Sequence, residues 1–161
     1  MKKINRIIHV VLLLSVTFYL GFAFKSHLSS TNKNQIMKKV TGIGGIFFKS
    51  KDPKKTMEWY HKHLGLETNS YGTTFECYED STGTKKAQTQ WSPFPDSTTY
   101  FQPTQQDFMI NYRVDNLEAL IVELKKDGVT IVDEMETYPY GKFIHILDGD
   151  GNKVELWEPI E

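Results

Sequence analysis

Two residues near the C-terminal end could do proton chemistry together. His145 and Glu155 flank the run Asp148-Gly-Asp-Gly-Asn152, whose composition reads as a hairpin turn. Closed symmetrically, that turn sets Leu147 opposite Lys153 and His145 opposite Glu155, with Cβ atoms roughly 5 Å apart on one face. An imidazole beside a carboxylate is a general acid/base unit. The pair, or Glu155 with Arg113, is equally a way to satisfy a buried charge. The residues therefore leave structural pairing, ligand binding and proton transfer open.

Strand alternation assigns further side chains to the same face. In the run that holds Glu155, Val154 and Leu156 suit a core, so Lys153, Glu155 and Trp157 take the other side. In the run Asp107–Val114, Ile110, Tyr112 and Val114 suit packing under a helix, which leaves Met109, Asn111 and Arg113 inward. Near Gly45, Ile46 and Phe48 face the helix, while Gly45 and Phe47 face inward. These faces make Phe47, Met109, Asn111, Arg113 and Trp157 candidate ligand-binding residues. The candidate catalytic pair is Glu155 and His145.

The elements that must position these residues come in two similar halves, about 40–104 and 105–159. In the first, Gly42–Lys49 alternates as a strand. Asp52-Pro53 supplies an N-cap and an N1 proline. Met57, Tyr60 and Leu64 recur at helical spacing before Gly65. Strand-like runs follow at Thr73–Tyr78, Ala87–Ser92 and near Thr99–Phe101. In the second half, Asp115 or Asn116 caps a helix carrying Leu117, Leu120, Ile121 and Leu124, stopped by Gly128. Strands are expected at Val129–Val132, Lys142–Leu147 and Lys153–Trp157. Each half reads strand, helix, three strands, and such a unit needs its twin to bury its sheet.

At this point the chain resembles the vicinal oxygen chelate superfamily, which includes glyoxalases, bleomycin-binding proteins and dioxygenases. The resemblance is carried by Gly44-Gly-Ile-Phe-Phe-Lys-Ser-Lys-Asp-Pro, Glu58-Trp-Tyr, Leu64-Gly-Leu, Ile110-Asn-Tyr-Arg-Val-Asp-Asn and the closing Asp148-x-x-Gly-Asn-x-x-Glu-Leu-Trp-Glu run. It covers about Thr41–Pro159. It implies an α+β fold of two βαβββ repeats, curled into a cupped eight-stranded mixed sheet with helices outside, and a homodimer. It also implies a ligand or divalent metal inside the cup. The family's metal positions fall on Gly45, Met109, Gln90 or Trp91, and Glu155, so the resemblance adds Gln90 and Trp91 to the candidate ligand-binding residues. Glycine offers no ligand atom and a thioether suits a hard ion poorly, so the expectation is a pocket for a small organic molecule, with no metal or other cofactor. The alternative is a glyoxalase-like lyase, isomerase or dioxygenase using Glu155 and His145. The resemblance implies that the loop Tyr138-Pro-Tyr-Gly141 closes over the pocket mouth, although a plain turn explains its residues equally well.

Composition sets the outer bounds. The 161 residues amount to about one domain. Residues 1–24 hold Lys2, Lys3 and Arg6, and Ile7–Phe24 is an 18-residue stretch free of charge, at the lower end of what spans about 30 Å of hydrocarbon. We read residues 1–24 as a signal-anchor or signal peptide, 25–39 as a linker and 40–161 as the domain, giving a membrane-anchored or exported protein. Translation from Met37 would yield a soluble cytoplasmic form. Beyond residue 24 the chain has 16 basic and 20 acidic side chains, and no basic stripe points to nucleic acid. Cys77, alone of its kind, is expected as a small core filler. His61 and His63, two apart on a helix, point to different sides.

Overall fold

The computed structural model describes residues 39–78 and 81–160; the expected N-terminal hydrophobic helix, at 1–24, lies outside them. The elements run β1 (Val40–Ser50), α1 (Pro53–Leu64), β2 (Thr73–Tyr78), β3 (Lys86–Pro95), β4 (Phe108–Val114), α2 (Leu117–Lys126), β5 (Glu136–Tyr138), β6 (Gly141–Leu147) and β7 (Lys153–Glu158). Both helices start where their caps predict. Asp52 accepts a hydrogen bond from the Lys55 amide at 3.1 Å, and Asn116 accepts one from the Ala119 amide at 2.9 Å, each satisfying a donor the first turn leaves over.

The strands form one mixed sheet in the order β2-β3-β1-β4-β7-β6-β5. Each half pairs its first strand with its last in parallel, β1 with β3 and β4 with β7. An antiparallel seam between β1 and β4 joins the halves. The expected class, α+β with repeated halves, is observed, but the sheet has seven strands and not eight. Thr99–Phe101 is a turn, closed by the Gln102 amide on the Thr99 carbonyl at 3.0 Å. Burial of the Phe101 ring at 1% exposure fixes this segment without a ladder. In the second half, Val129–Val132 makes only an isolated bridge between Ile131 and Ile146, and the strand beside β6 is Glu136–Tyr138.

One face of the sheet packs on the helices. Val114, Ile144 and Leu156 meet Leu117 and Leu120 of α2, and Trp91 packs between Tyr60 of α1, at 4.7 Å between ring centroids, and Phe48, at 5.2 Å. The opposite face holds a second cluster of Phe47, Phe101 and Met109, with Phe94 against it. Cys77 is exposed and not in the core: β2 is an edge strand, exposed from Thr74 to Tyr78.

Candidate functional site

The hairpin joining β6 to β7 closes as the sequence predicts, setting His145 opposite Glu155, Leu147 opposite Lys153 and Phe143 opposite Trp157. Asp148 holds the turn by accepting from the amides of Asp150 and Asn152 at 2.9 and 2.8 Å. Parallel pairing of β4 with β7 then places Asn111 beside Glu155. Three strands thus converge on one carboxylate with 2% exposure.

Three side chains engage Glu155. Asn111 Nδ2 donates to its Oε1 at 2.6 Å. The Tyr100 hydroxyl donates to its Oε2, which also lies 3.0 Å from His145 Nε2. Behind the imidazole, Asp133 Oδ2 is 2.6 Å from Nδ1, and Asp133 Oδ1 accepts from the His145 amide at 2.9 Å. Only a doubly protonated ring donates to both carboxylates at once; a neutral ring meets one of them with a lone pair. Burial, and then the charge of Glu155, pushes the Tyr100 phenol far above its ordinary range. Tyr100 is accordingly a donor to the carboxylate and not a source of phenolate. Lys153 donates to the Tyr100 carbonyl at 2.7 Å; its ammonium is lowered by burial, against the opposing pull of Asp133 and Glu155.

This network floors a cleft of about 690 Å³. Phe47 and Phe94 form one wall; Tyr138, Tyr140, Phe143 and Trp157 form the other, with Gly44 and Gln90 also in the lining. The rings are ordered in pairs: Phe94 stacks on Tyr100 at 5.5 Å, Tyr138 on Tyr140 at 5.4 Å and Phe143 on Trp157 at 6.0 Å. Glycines make room for them. Gly141 has φ +148°, and any Cβ there would collide with the Trp157 indole. At Gly44 a Cβ would fall on Asn111 Oδ1 and 2.7 Å from Trp157 Cε3.

The sequence-derived set divides in space. Phe47, Gln90, Asn111, Trp157 and Glu155 line the cleft, with His145 buried directly behind Glu155. Trp91 does not join them; it lies under α1 on the other face, because alternation from Gln90, which faces the cleft, turns the next residue away. Met109 is inward but packs in the apolar cluster with Phe47 and Phe101. Arg113 donates to the Gln88 carbonyl at 3.1 Å and lines a separate depression with Lys85, Lys86 and Asp115. The side chains holding Glu155 are Tyr100, Asn111 and His145.

Sequence reasoning missed Tyr100 and Asp133, which belong to turns with no periodicity to assign a face, and also Phe94, Glu136 and Phe143. Tyr138 and Tyr140 were signalled only by the loop expected to cover the mouth.

The donor set at the family's metal positions does not fit a divalent ion. The space over Gly45 is taken by the Phe47 ring, which a Cβ there would meet at 2.7 Å. Met109 is enclosed by hydrocarbon. Gln90 already bonds Thr74 at 2.7 Å and the Tyr71 carbonyl at 3.1 Å. Among the described residues no group of three or more His, Cys, Asp or Glu side chains is arranged to hold a metal ion.

A family model, Glyoxalase/Bleomycin resistance protein/Dioxygenase superfamily, matches residues 42–156. No curated protein sequence matches the chain. Among solved structures, a Streptomyces coelicolor methylmalonyl-CoA epimerase in complex with 2-nitronate-propionyl-CoA is similar with TM-score 0.57 and 15% identity, covering 76% of this chain and 99% of that one. A Mycobacterium tuberculosis methylmalonyl-CoA epimerase gives TM-score 0.51 and 23% identity, covering 76% of this chain and 90% of that one. At these identities the likeness concerns the fold.

Proposed function

This chain belongs to the glyoxalase/bleomycin resistance protein/dioxygenase superfamily, and from that premise we propose that it is a binding domain for a small organic molecule, seated without a divalent ion in the aromatic cleft. The observation that carries this reading is the lining itself. Pockets for small molecules are concave and largely apolar, with a few placed polar groups, and here stacked rings surround one buried carboxylate. Proton transfer by Glu155 is less well supported, because Tyr100, Asn111 and His145 already occupy its oxygens.

The test is a fragment screen by thermal shift on purified protein, repeated with Trp157→Ala and Phe94→Ala and in the presence of chelator. The reading expects hits that both variants weaken and chelator leaves unchanged. Hits indifferent to both variants, or stabilisation that needs a divalent ion, would contradict it.

Two further parts of the proposal concern the whole protein. We read Ile7–Phe24 as an anchor that keeps the domain at a membrane, since its 18 uncharged residues reach the length a spanning helix needs. Full-length protein should then resist a salt wash of the membrane fraction, and a soluble product shortened by about 24 residues would show cleavage instead. We also propose a homodimer, supported by family resemblance alone and testable by light scattering.

Among the described residues no helix is long and apolar enough to cross a membrane, so any anchoring depends on the N-terminal stretch.

A further inference from the structure

We infer that the cleft takes a protonated amine with an apolar or aromatic body, its N–H groups directed at Glu155 and Asn111. This rests on the cleft being the ligand site.

Charge is the first ground. The lining contains Glu155 at the floor and Glu136 at the rim, and among the described residues it contains no Lys or Arg. The basic groups around the cleft are committed: Arg113 donates to the Gln88 carbonyl at 3.1 Å. Lys153 Nζ donates to the Tyr100 carbonyl and lies 5.1 Å from the centre of its ring, and the His145 imidazole is held between Asp133 and Glu155. None of these three belongs to the lining, whose charged residues are the two glutamates. An anionic ligand would be repelled, a neutral one would leave the field unused, and a cation fits.

Ring geometry is the second ground. The stacked pairs Tyr138–Tyr140 and Phe143–Trp157 bound the cleft, and the negative π faces of such rings attract an organic cation. The rings equally suit the hydrocarbon part of the molecule, so one wall serves both ends of it.

An unpartnered acceptor is the third ground, and it separates an N–H cation from a quaternary one. Asn111 is 2% exposed and its Oδ1 has no hydrogen-bond donor. The amide cannot simply be reversed, because Nδ2 is committed to Glu155 Oε1 at 2.6 Å and reversal would set two oxygens together. What is missing beside Glu155 is a donor. An ammonium group supplies three donors and no acceptor, whereas a quaternary ammonium supplies none.

The experiment is isothermal titration of the full-length protein with four probes of one shape: phenethylamine, its N,N,N-trimethyl analogue, phenethyl alcohol and hydrocinnamate. The expected order is amine tightest, by about tenfold or more over the alcohol, with the trimethyl analogue between them and the carboxylate weakest. Glu155→Gln should bring the amine and the alcohol to similar affinity. If that variant fails to fold, Glu136→Gln at the exposed rim should still weaken the amine by about threefold and spare the alcohol. Equal binding of amine and alcohol, or a trimethyl analogue as tight as the amine, overturns the inference and leaves the cleft as a binding site. Failure of all four probes to bind or to perturb the Trp157 indole resonance overturns the site as well.

Discussion

Counted back from the helix caps Asp52 and Asn116, Phe47 in the first half and Asn111 in the second hold the same place, yet their surroundings are chemically opposite. Phe47 pairs with Ser92 across β1 and β3 and its ring packs with Phe94, Phe101 and Met109. Asn111 pairs with Glu155 across β4 and β7 and opens the network through Tyr100, His145 and Asp133. One half supplies an apolar wall and the other a polar floor. A repeated scaffold fixes where side chains point, and a few substitutions at matched places decide what they do.

The largest effect that could break this contrast is on stability. Glu155→Ala takes the shared carboxylate from Tyr100, Asn111 and His145 at once and is expected to cost about 3 kcal/mol, read as a lowered urea midpoint. The matched change, Ser92→Ala, removes a hydroxyl that donates to the Tyr71 carbonyl at 2.5 Å and accepts from Gln90 Nε2 at 3.1 Å, and should cost about 1 kcal/mol. Equal costs would mean that the floor is not the specialised half. Next in size is Gly44→Ala, where a first-half glycine makes room for second-half Asn111 and Trp157. Crowding of this kind typically costs about 2 kcal/mol, and an unaltered melting temperature would show that the two halves do not interlock there.

A third effect concerns alkali. Tyr100 ionises near the ordinary 10.0 in the unfolded chain and well above it when folded, so the native state binds more protons as pH climbs past 10.0. Stability contributed by the protonated phenol is full below that value and falls above it. Lys153 acts in the opposite sense: lowered in the fold from 10.5, it releases its proton first, and its contribution rises with pH until the unfolded chain has also released. Urea melts should show a declining alkaline limb that Tyr100→Phe flattens, whereas an equally steep limb in the variant would place the loss elsewhere.

The smallest effects probe what the halves share. Asn116→Ala should cost about 1 kcal/mol at any pH. Loss of the Asp52 cap should matter at neutral pH and vanish in acid, because the Lys55 amide and ammonium hold that carboxylate below its ordinary 3.8. Stability it supplies is present above 3.8 and disappears as pH falls through the lowered value. Asp52→Ala melts at neutral and acidic pH check this, and an undiminished difference in acid would refute it.

Much of the frame was legible in the sequence because it is local. Caps at Asp52 and Asn116, the Asp148–Asn152 turn and the period of two in β4 and β7 each announce themselves within a few residues, and together they place Asn111, His145 and Glu155 on one face. What stayed hidden depends on contacts between distant turns. Tyr100 reaches Glu155 only because Phe101 beside it is buried, and no local pattern separates that turn from a short strand. Asp133 follows a single bridge at Ile131 and not the strand expected there. The Arg113–Glu155 pairing failed for a related reason: a shared face does not set a reach, and Arg113, two residues along β4, donates to Gln88.

The central claim is that the aromatic cleft over Glu155 is where this domain holds a small molecule. Its most direct test is side-chain NMR of the protein titrated with the strongest fragment hit. The account predicts saturable shifts at Phe47, Phe94, Tyr138 and Trp157, lost together in Trp157→Ala, with α2 and Tyr78 at the far end of β2 unmoved. Shifts concentrated at α2, or at the depression lined by Arg113, Lys85 and Lys86, would contradict it.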